Sequence, residues 1–259
     1  MKMDLKQKLE LKPCIGTFLK IPRPEIVDVL ALAGFDFIIC DMEHAQISEE
    51  EARSVIRAGV NAGIPVVVRL PEPVQGLVNR LLEAGAVGIQ MPRLRKASET
   101  KELYSMMHFP PLGTRSVGVA NIFANYGSVA IKDYLDSENS RVLTVGQFET
   151  KAIDDCIEKM FDGLDVAFIG PTDLAVDFGV PGNINDLNVQ ERLAEIEKAA
   201  NKTGTIMGAF AGNLEQAKYY IERGYRFLAV SGDISLVAAG ANSLVKAFRE
   251  NFDGLSIGK

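Results

Sequence analysis

Eight short apolar runs, each followed by a longer amphipathic segment, recur along this chain and limit its folds more than any other feature. The runs fall at 14–18, 36–40, 65–69, 87–91, 142–148, 165–169, 205–210 and 225–230. The segments expected to be helical fall near 24–33, 48–62, 73–84, 97–107, 151–160, 188–203, 213–223 and 233–250. Runs such as Phe37-Ile38-Ile39-Cys40 and Val66-Val67-Val68 are apolar at every position, as in strands covered on both faces. Strict alternation implies parallel βα units, and eight of them close a barrel. The 259 residues match the roughly 250 of one such domain. An open doubly wound sheet is the competing arrangement, usually marked by a glycine-rich phosphate turn after its first strand. Here that turn reads Leu19-Lys20-Ile21-Pro22-Arg23-Pro24, and no G-x-G-x-x-G or Walker pattern occurs. The expected fold is therefore α/β: a single (β/α)8 TIM barrel spanning 1–259.

Local signals agree. Ser48 and Glu51 have the spacing of a capping box. Gly34, Gly63, Gly85 and Gly224 follow helical stretches, and Asn213 and Asp233 suit helix N-caps. One stretch breaks the rhythm. Residues 108–141, after the fourth βα unit, are too long for an ordinary loop and carry Pro110-Pro111, Gly113 and Gly118. They are expected to form an active-site or subunit-contact insertion, with a short helix near 128–135.

Composition excludes several classes. Hydrophobic residues make up 47% and charged residues 24%, so the chain is neither disordered nor fibrous. The net charge of −6 leaves no chain-wide basic footprint for nucleic acid. No run reaches the roughly 18 apolar residues of a membrane helix, and the first residues lack the apolar core of a signal peptide. Cys14, Cys40 and Cys156 are odd in number and show no metal-ligand spacing. They read as buried free thiols of a cytoplasmic protein.

In a barrel of this kind, chemistry gathers at the C-terminal ends of the strands. Asp41, Glu43 and His44 follow the second run, and Arg69 ends the third. Gln147-Phe148-Glu149-Thr150 ends the fifth, and Gly170-Pro171-Thr172-Asp173 follows the sixth. His44, set among carboxylates, suits a general base; a satisfied rim histidine is the plainer alternative. His108 precedes Phe-Pro-Pro and reads as structural. Arg69 must be paired or face a ligand, so it is either a salt-bridge partner or a group that stabilises a developing oxyanion. Glu149 and Asp173, if brought together, would repel unless a cation or a proton lay between them. Two oxygen donors with open positions suit Mg²⁺ or Mn²⁺ better than zinc; independent surface carboxylates are the alternative. Gly170-Pro171 would expose backbone amides to an anionic carboxylate. No lysine lies inside an apolar run, which disfavours a Schiff base.

At these residues the chain resembles the metal-dependent class II pyruvate aldolases of the HpcH/HpaI family. The resemblance spans nearly the whole chain, from Gly16-Thr17-Phe18 to the last helix. It rests on Asp41-Met42-Glu43-His44, Val68-Arg69, Pro110-Pro111-Leu112-Gly113-Thr114-Arg115, Gln147-Phe148-Glu149-Thr150 and Phe168-Ile169-Gly170-Pro171-Thr172-Asp173-Leu174. It implies a lyase that cleaves a 4-hydroxy-2-oxo acid reversibly to pyruvate and an aldehyde. The metal, Mg²⁺ or Mn²⁺ with Co²⁺ also admissible, would be held by Glu149 and Asp173. Gln147, Gly170, Thr172 and Asp173 would hold the pyruvyl moiety. Arg69 would stabilise the enolate oxygen, and His44 would act as base through a water on the metal. Glu83 stands where the family usually has an aspartate that raises the basicity of the histidine. The resemblance also implies a homohexamer built as a trimer of dimers.

Ser116 replaces a usual glycine, and Phe123 stands where some members place an arginine that reaches an acidic aldehyde from a neighbouring subunit. The second departure leads to an expected preference for neutral or less acidic aldehydes. Three alternatives share the site. They are oxaloacetate decarboxylation, acyl-CoA lyase-like cleavage, and a non-catalytic barrel that binds a 2-oxo acid.

Overall fold

Apolar runs bounded by glycine-capped helices fold into eight strands that pair only in parallel. The computed structural model describes residues 4–252; residues 1–3 and 253–259 of the expected barrel lie outside the described residues. The strands are β1 (Cys14–Leu19), β2 (Phe37–Asp41), β3 (Val66–Arg69), β4 (Gly88–Met91), β5 (Leu143–Phe148), β6 (Val166–Ile169), β7 (Ile206–Ala211) and β8 (Phe227–Gly232). They pair in chain order, and β8 closes on β1. Each lies within two residues of the run expected from the sequence.

Alternate residues of each strand serve two cores. Ile38, Cys40, Val66 and Val68 pack outward against helices. Phe37, Ile39, Val67, Leu143, Val145, Val166, Phe168 and Phe227 fill the barrel interior. Phe37 and Phe227 stack there with centroids 4.1 Å apart.

The outer layer comprises α2 (Pro24–Ala33), α3 (Glu49–Ala62), α4 (Gln75–Ala84), α5 (Ala97–Met107), α6 (Ile131–Arg141), α7 (Ile157–Met160), α8 (Pro171–Asp177), α9 (Leu187–Thr203), α10 (Leu214–Glu222) and α11 (Asp233–Phe252). The Ser48–Glu51 capping box forms on α3, and Asn213 caps α10. An unexpected short helix, α1 (Leu5–Leu11), precedes β1 and inserts Leu5 and Leu9 into the interior cluster. It seals the end of the barrel away from the strand C-termini.

Two helices differ from expectation for identifiable reasons. The 151–160 segment contracts to α7 because its acidic residues serve a neighbouring helix. Asp155 accepts the Ala97 amide at 2.8 Å, and Asp154 pairs with Arg95 at 3.1 Å. Cys156 is consequently exposed, against the expectation of three buried thiols; Cys14 and Cys40 are buried. In the insertion, the short helix expected near 128–135 extends to Arg141 as α6, which brings Glu138 to the buried Arg115 at 3.1 Å. His108 is buried as expected, with Nδ1 2.8 Å from the Tyr104 carbonyl oxygen and its ring stacked on Tyr104.

α11 departs from the barrel pattern. An eighth helix ordinarily packs between its two neighbours, here α10 and α2. Yet every residue from Ile234 to Phe252 is exposed, including Leu244, Phe248 and Phe252. The flanking helices are bare too: Leu32 of α2 is 88% exposed and Leu214 of α10 is 75% exposed. No helix among the described residues is long and apolar enough to cross a membrane.

Candidate active site

Strand periodicity turns polar where the interior reaches the C-terminal rim. Along β2 the inward residues run Phe37, Ile39, Asp41; along β3 they end in Arg69; along β5 they end in Gln147. Asp41 and Arg69 are also register partners on adjacent strands. Arg69 donates Nε to Asp41 Oδ1 at 2.9 Å and Nη2 to Oδ2 at 2.8 Å. Its Nη1 lies 3.2 Å from Glu43 Oε2, and its guanidinium sits 4.6 Å above the Phe18 ring.

Asp41 is fully buried, and its Oδ1 also accepts the amides of Glu43 and His44 at 3.2 and 3.1 Å. Burial pushes this carboxyl up, but the Arg69 hydrogen bonds and charge, the His44 amide and Lys20 outweigh it. They hold the group below the usual carboxylate range. Arg69 is thus a salt-bridge partner, the first of the two readings, and it also lines the cavity described below. His44 follows the Asp41 turn with a largely exposed ring, its Nε2 3.7 Å from Glu43 Oε2.

Glu149 and Asp173 do converge. Glu149 is 6% exposed; its Oε1 accepts the Arg93 amide at 3.0 Å and its Oε2 accepts Gln147 Nε2 at 3.1 Å. A Cβ on Gly170 would lie 2.7 Å from Glu149 Oε2 and 3.5 Å from Asp173 Oδ2, so only glycine leaves that space clear. Burial, then the charges of Asp173 and Glu43, push the Glu149 carboxyl up to about 7. Gln147 Oε1 is buried without a partner. Among the described residues no group of three or more His, Cys, Asp or Glu side chains gathers for a metal. What converges is two carboxylates and one unpartnered amide oxygen. This all-oxygen set with open positions suits a hard divalent cation that keeps waters or takes substrate oxygens.

His44, Arg69, Gln147, Gly170, Thr172 and Asp173 all line one cavity of about 480 Å³, together with Phe18, Lys20, Phe210 and Ile234. Glu83 does not join them. It lies near the C-terminal end of α4, where its carboxylate packs against Gly118 of the insertion. Helices of a βα barrel run antiparallel to the strands, so this is the end away from His44. A role towards His44 requires Glu83 from a second copy of the chain. Phe123 is likewise remote: its ring lies under the Arg141 guanidinium at 4.4 Å. Ser116 is exposed and accepts a hydrogen bond from Asn79 at 2.7 Å.

Sequence reasoning gave no role to Asp41 as the anchor of Arg69, nor to Lys20, and it read Asp233 as an ordinary N-cap. Asp233 does accept the Ile234 amide at 2.7 Å. Its buried carboxylate also accepts the amides of Lys20 and Ile21 at 2.9 and 2.8 Å. The missed signal was a charged residue at the end of an otherwise apolar inward row.

Comparison with known proteins identifies the family of the chain. Residues 14–239 match the HpcH/HpaI aldolase/citrate lyase family. A hydroxypyruvate/pyruvate aldolase of Paraburkholderia phytofirmans is 33% identical over 239 residues, covering 89% of this chain and 91% of that protein. A 4-hydroxy-2-oxo-heptane-1,7-dioate aldolase of Salmonella dublin is 32% identical, covering 95% and 94%. The crystal structure of an HpcH/HpaI aldolase from Desulfitobacterium hafniense superposes with a TM-score of 0.89 at 31% identity, covering 96% and 97%. The chain belongs to the HpcH/HpaI aldolase/citrate lyase family.

Proposed function

We propose that the chain is a divalent-metal-dependent aldolase that reversibly cleaves a 4-hydroxy-2-oxo acid to pyruvate and an aldehyde. One observation carries this reading: Asp173 and Gln147, whose Oε1 is buried without a partner, line the same cavity as Arg69 and His44, and the buried Glu149 carboxylate meets Asp173 across Gly170. Mg²⁺ or Mn²⁺ held by Glu149 and Asp173 would polarise the 2-oxo group as a Lewis acid. Gln147 and the Gly170–Thr172 turn hold the pyruvyl end of the substrate. His44 takes the 4-hydroxyl proton, directly or through a water. The electrons of the C3–C4 bond then move to C2–C3, the aldehyde leaves, and negative charge develops on the C2 oxygen. Arg69, already fixed by Asp41 and Glu43, stabilises that oxyanion without reorganising. A proton delivered to C3 completes pyruvate.

The assembly we propose is a homo-oligomer. α11 carries an uncovered apolar face, and the slot between α2 and α10 on the same chain is bare. Reciprocal docking of α11 onto a second copy satisfies both at once. The insertion, with Val117, Ile122 and Tyr126 exposed, supplies a second contact surface that suits growth to a trimer of dimers. The unpaired thiols suit a reducing cytoplasm.

The test is pyruvate release from a panel of 4-hydroxy-2-oxo acids. The protein is first stripped with a chelator and then supplied with Mg²⁺ or Mn²⁺. Metal-restored release is expected. A folded protein that binds pyruvate yet releases none with any metal would instead be a non-catalytic 2-oxo-acid-binding barrel.

A further inference from the structure

The cavity holds a second cation that the chemistry above leaves unused. Lys20 directly follows β1 and lines the cavity, with its side chain one-third exposed. Its Nζ lies 3.4 Å from Asp41 Oδ2, an oxygen that already accepts Arg69 Nη2 at the shorter distance of 2.8 Å. Asp41 is thus committed first to Arg69, and the Lys20 ammonium keeps donors for another anion.

The position of Lys20 is built. The buried Asp233 carboxylate receives the Lys20 and Ile21 amides, which fixes the backbone from which the side chain extends. Because the strands close in chain order, β1 lies across the barrel from β5. Lys20 therefore faces the Glu149 side of the mouth. If C1 to C3 of the substrate occupy the Glu149, Asp173 and Gln147 side, the part beyond C4 extends towards the opposite wall. There Phe18, Phe210 and Ile234 offer apolar surface for a short alkyl chain, and Lys20 is the cation beside them.

We propose that Lys20 is a specificity-determining residue that binds a terminal carboxylate on the aldehyde portion of the substrate. The chain then prefers 4-hydroxy-2-oxo diacids to their neutral counterparts. A single ammonium that also touches Asp41 matches one negative charge. This reverses the preference expected from Phe123, whose ring packs beneath Arg141 and takes no part in this wall. The inference rests on the aldolase reading.

The experiment compares wild type, Lys20→Met and Lys20→Arg, each loaded with Mn²⁺. Pyruvate release is followed from 4-hydroxy-2-oxoheptane-1,7-dioate and from 4-hydroxy-2-oxoheptanoate, which differ only in the terminal carboxylate. Exchange of the pyruvate methyl protons with D₂O is measured alongside by NMR. Wild type is expected to favour the diacid in kcat/KM by about tenfold or more, the size of one well-placed charge contact. Lys20→Met should remove most of that ratio, chiefly through the KM for the diacid, and Lys20→Arg should restore part of it. A parallel fall for both substrates overturns the proposal, because Lys20 would then act only through Asp41 and Arg69. An unchanged ratio overturns it too. Wild-type methyl exchange without discrimination sinks the Lys20 assignment alone. Absence of both exchange and cleavage in wild type sinks the aldolase reading and this inference with it.

Discussion

Replacing Asp41 by Asn tests the anchor beneath the proposed oxyanion site. The wild-type carboxylate accepts two Arg69 hydrogen bonds and two backbone amides inside a fully buried pocket. Asn can keep one oxygen for Nε and the amides. Its NH₂ must then face Arg69 Nη2 and the Lys20 ammonium, donor against donor. Breaking one partner of a buried pair costs about 3–5 kcal/mol, because the surviving charge stays buried. Glu43 still touches Nη1 at 3.2 Å, so the lower end of that range applies. With an unfolding entropy of about 2.1 cal/mol/K per residue, a chain of this length loses roughly 5–7 °C of Tm. Scanning calorimetry on the metal-free protein reads the shift, and kcat for pyruvate release reads the displaced guanidinium. The double variant Asp41→Asn/Arg69→Gln should lose less stability than the two single losses added, because it leaves no unpaired cation. A Tm change under about 2 °C with wild-type kcat would show that Asp41 does not hold Arg69 in solution.

Further outcomes follow from the same geometry. Gly170→Ala puts a methyl 2.7 Å from Glu149 Oε2, so the metal-induced rise in Tm should shrink or vanish; an undiminished rise would count against the cradle. For wild type, Mg²⁺ or Mn²⁺ at about 100 times its Kd should stabilise the stripped protein by roughly 2.7 kcal/mol in a metal titration of Tm. Arg69→Lys keeps the charge but loses the two-pronged contact with Asp41, and kcat should fall by about 10²–10³ in steady-state assays. Burial holds the His108 pKa below the usual histidine range, so the unfolded chain takes up this proton first. Stability is then lost as pH falls below about 6.5. His108→Phe should flatten that limb, and parallel urea-melt profiles for the two proteins would refute it. Leu244→Asp/Phe248→Asp should shift light-scattering mass towards the monomer; an unchanged mass would exclude α11 as the joint.

The barrel itself was legible because its strands need no context: Val66-Val67-Val68 is buried on either face whatever surrounds it. Helix ends were legible where one side chain decides them, as at Ser48. Reading failed where residues serve distant partners. Asp154 and Asp155 brace α5, so a helix expected from local pattern contracts to its last turn. α1 was missed because a helix of seven residues has little stability of its own and forms by burying Leu5 and Leu9 in the barrel floor. At the site, the strand ends pointed to Arg69, Gln147, Glu149 and Asp173, which the fold gathers at one rim of the barrel. The motif could not show that Glu83 and Phe123 sit away from the cavity, since that depends on which end of α4 faces the rim and on how the insertion packs.

Asp233 links two matters that are usually separate. Its carboxylate fixes the loop that carries Lys20, and it is also the first residue of the helix that leaves the barrel. If that helix is anchored on a second subunit, the pull of assembly is transmitted through one side chain to the wall that reads the substrate. Dilution would then loosen recognition before it unfolds anything, and the specific activity of this protein would carry a record of its own concentration.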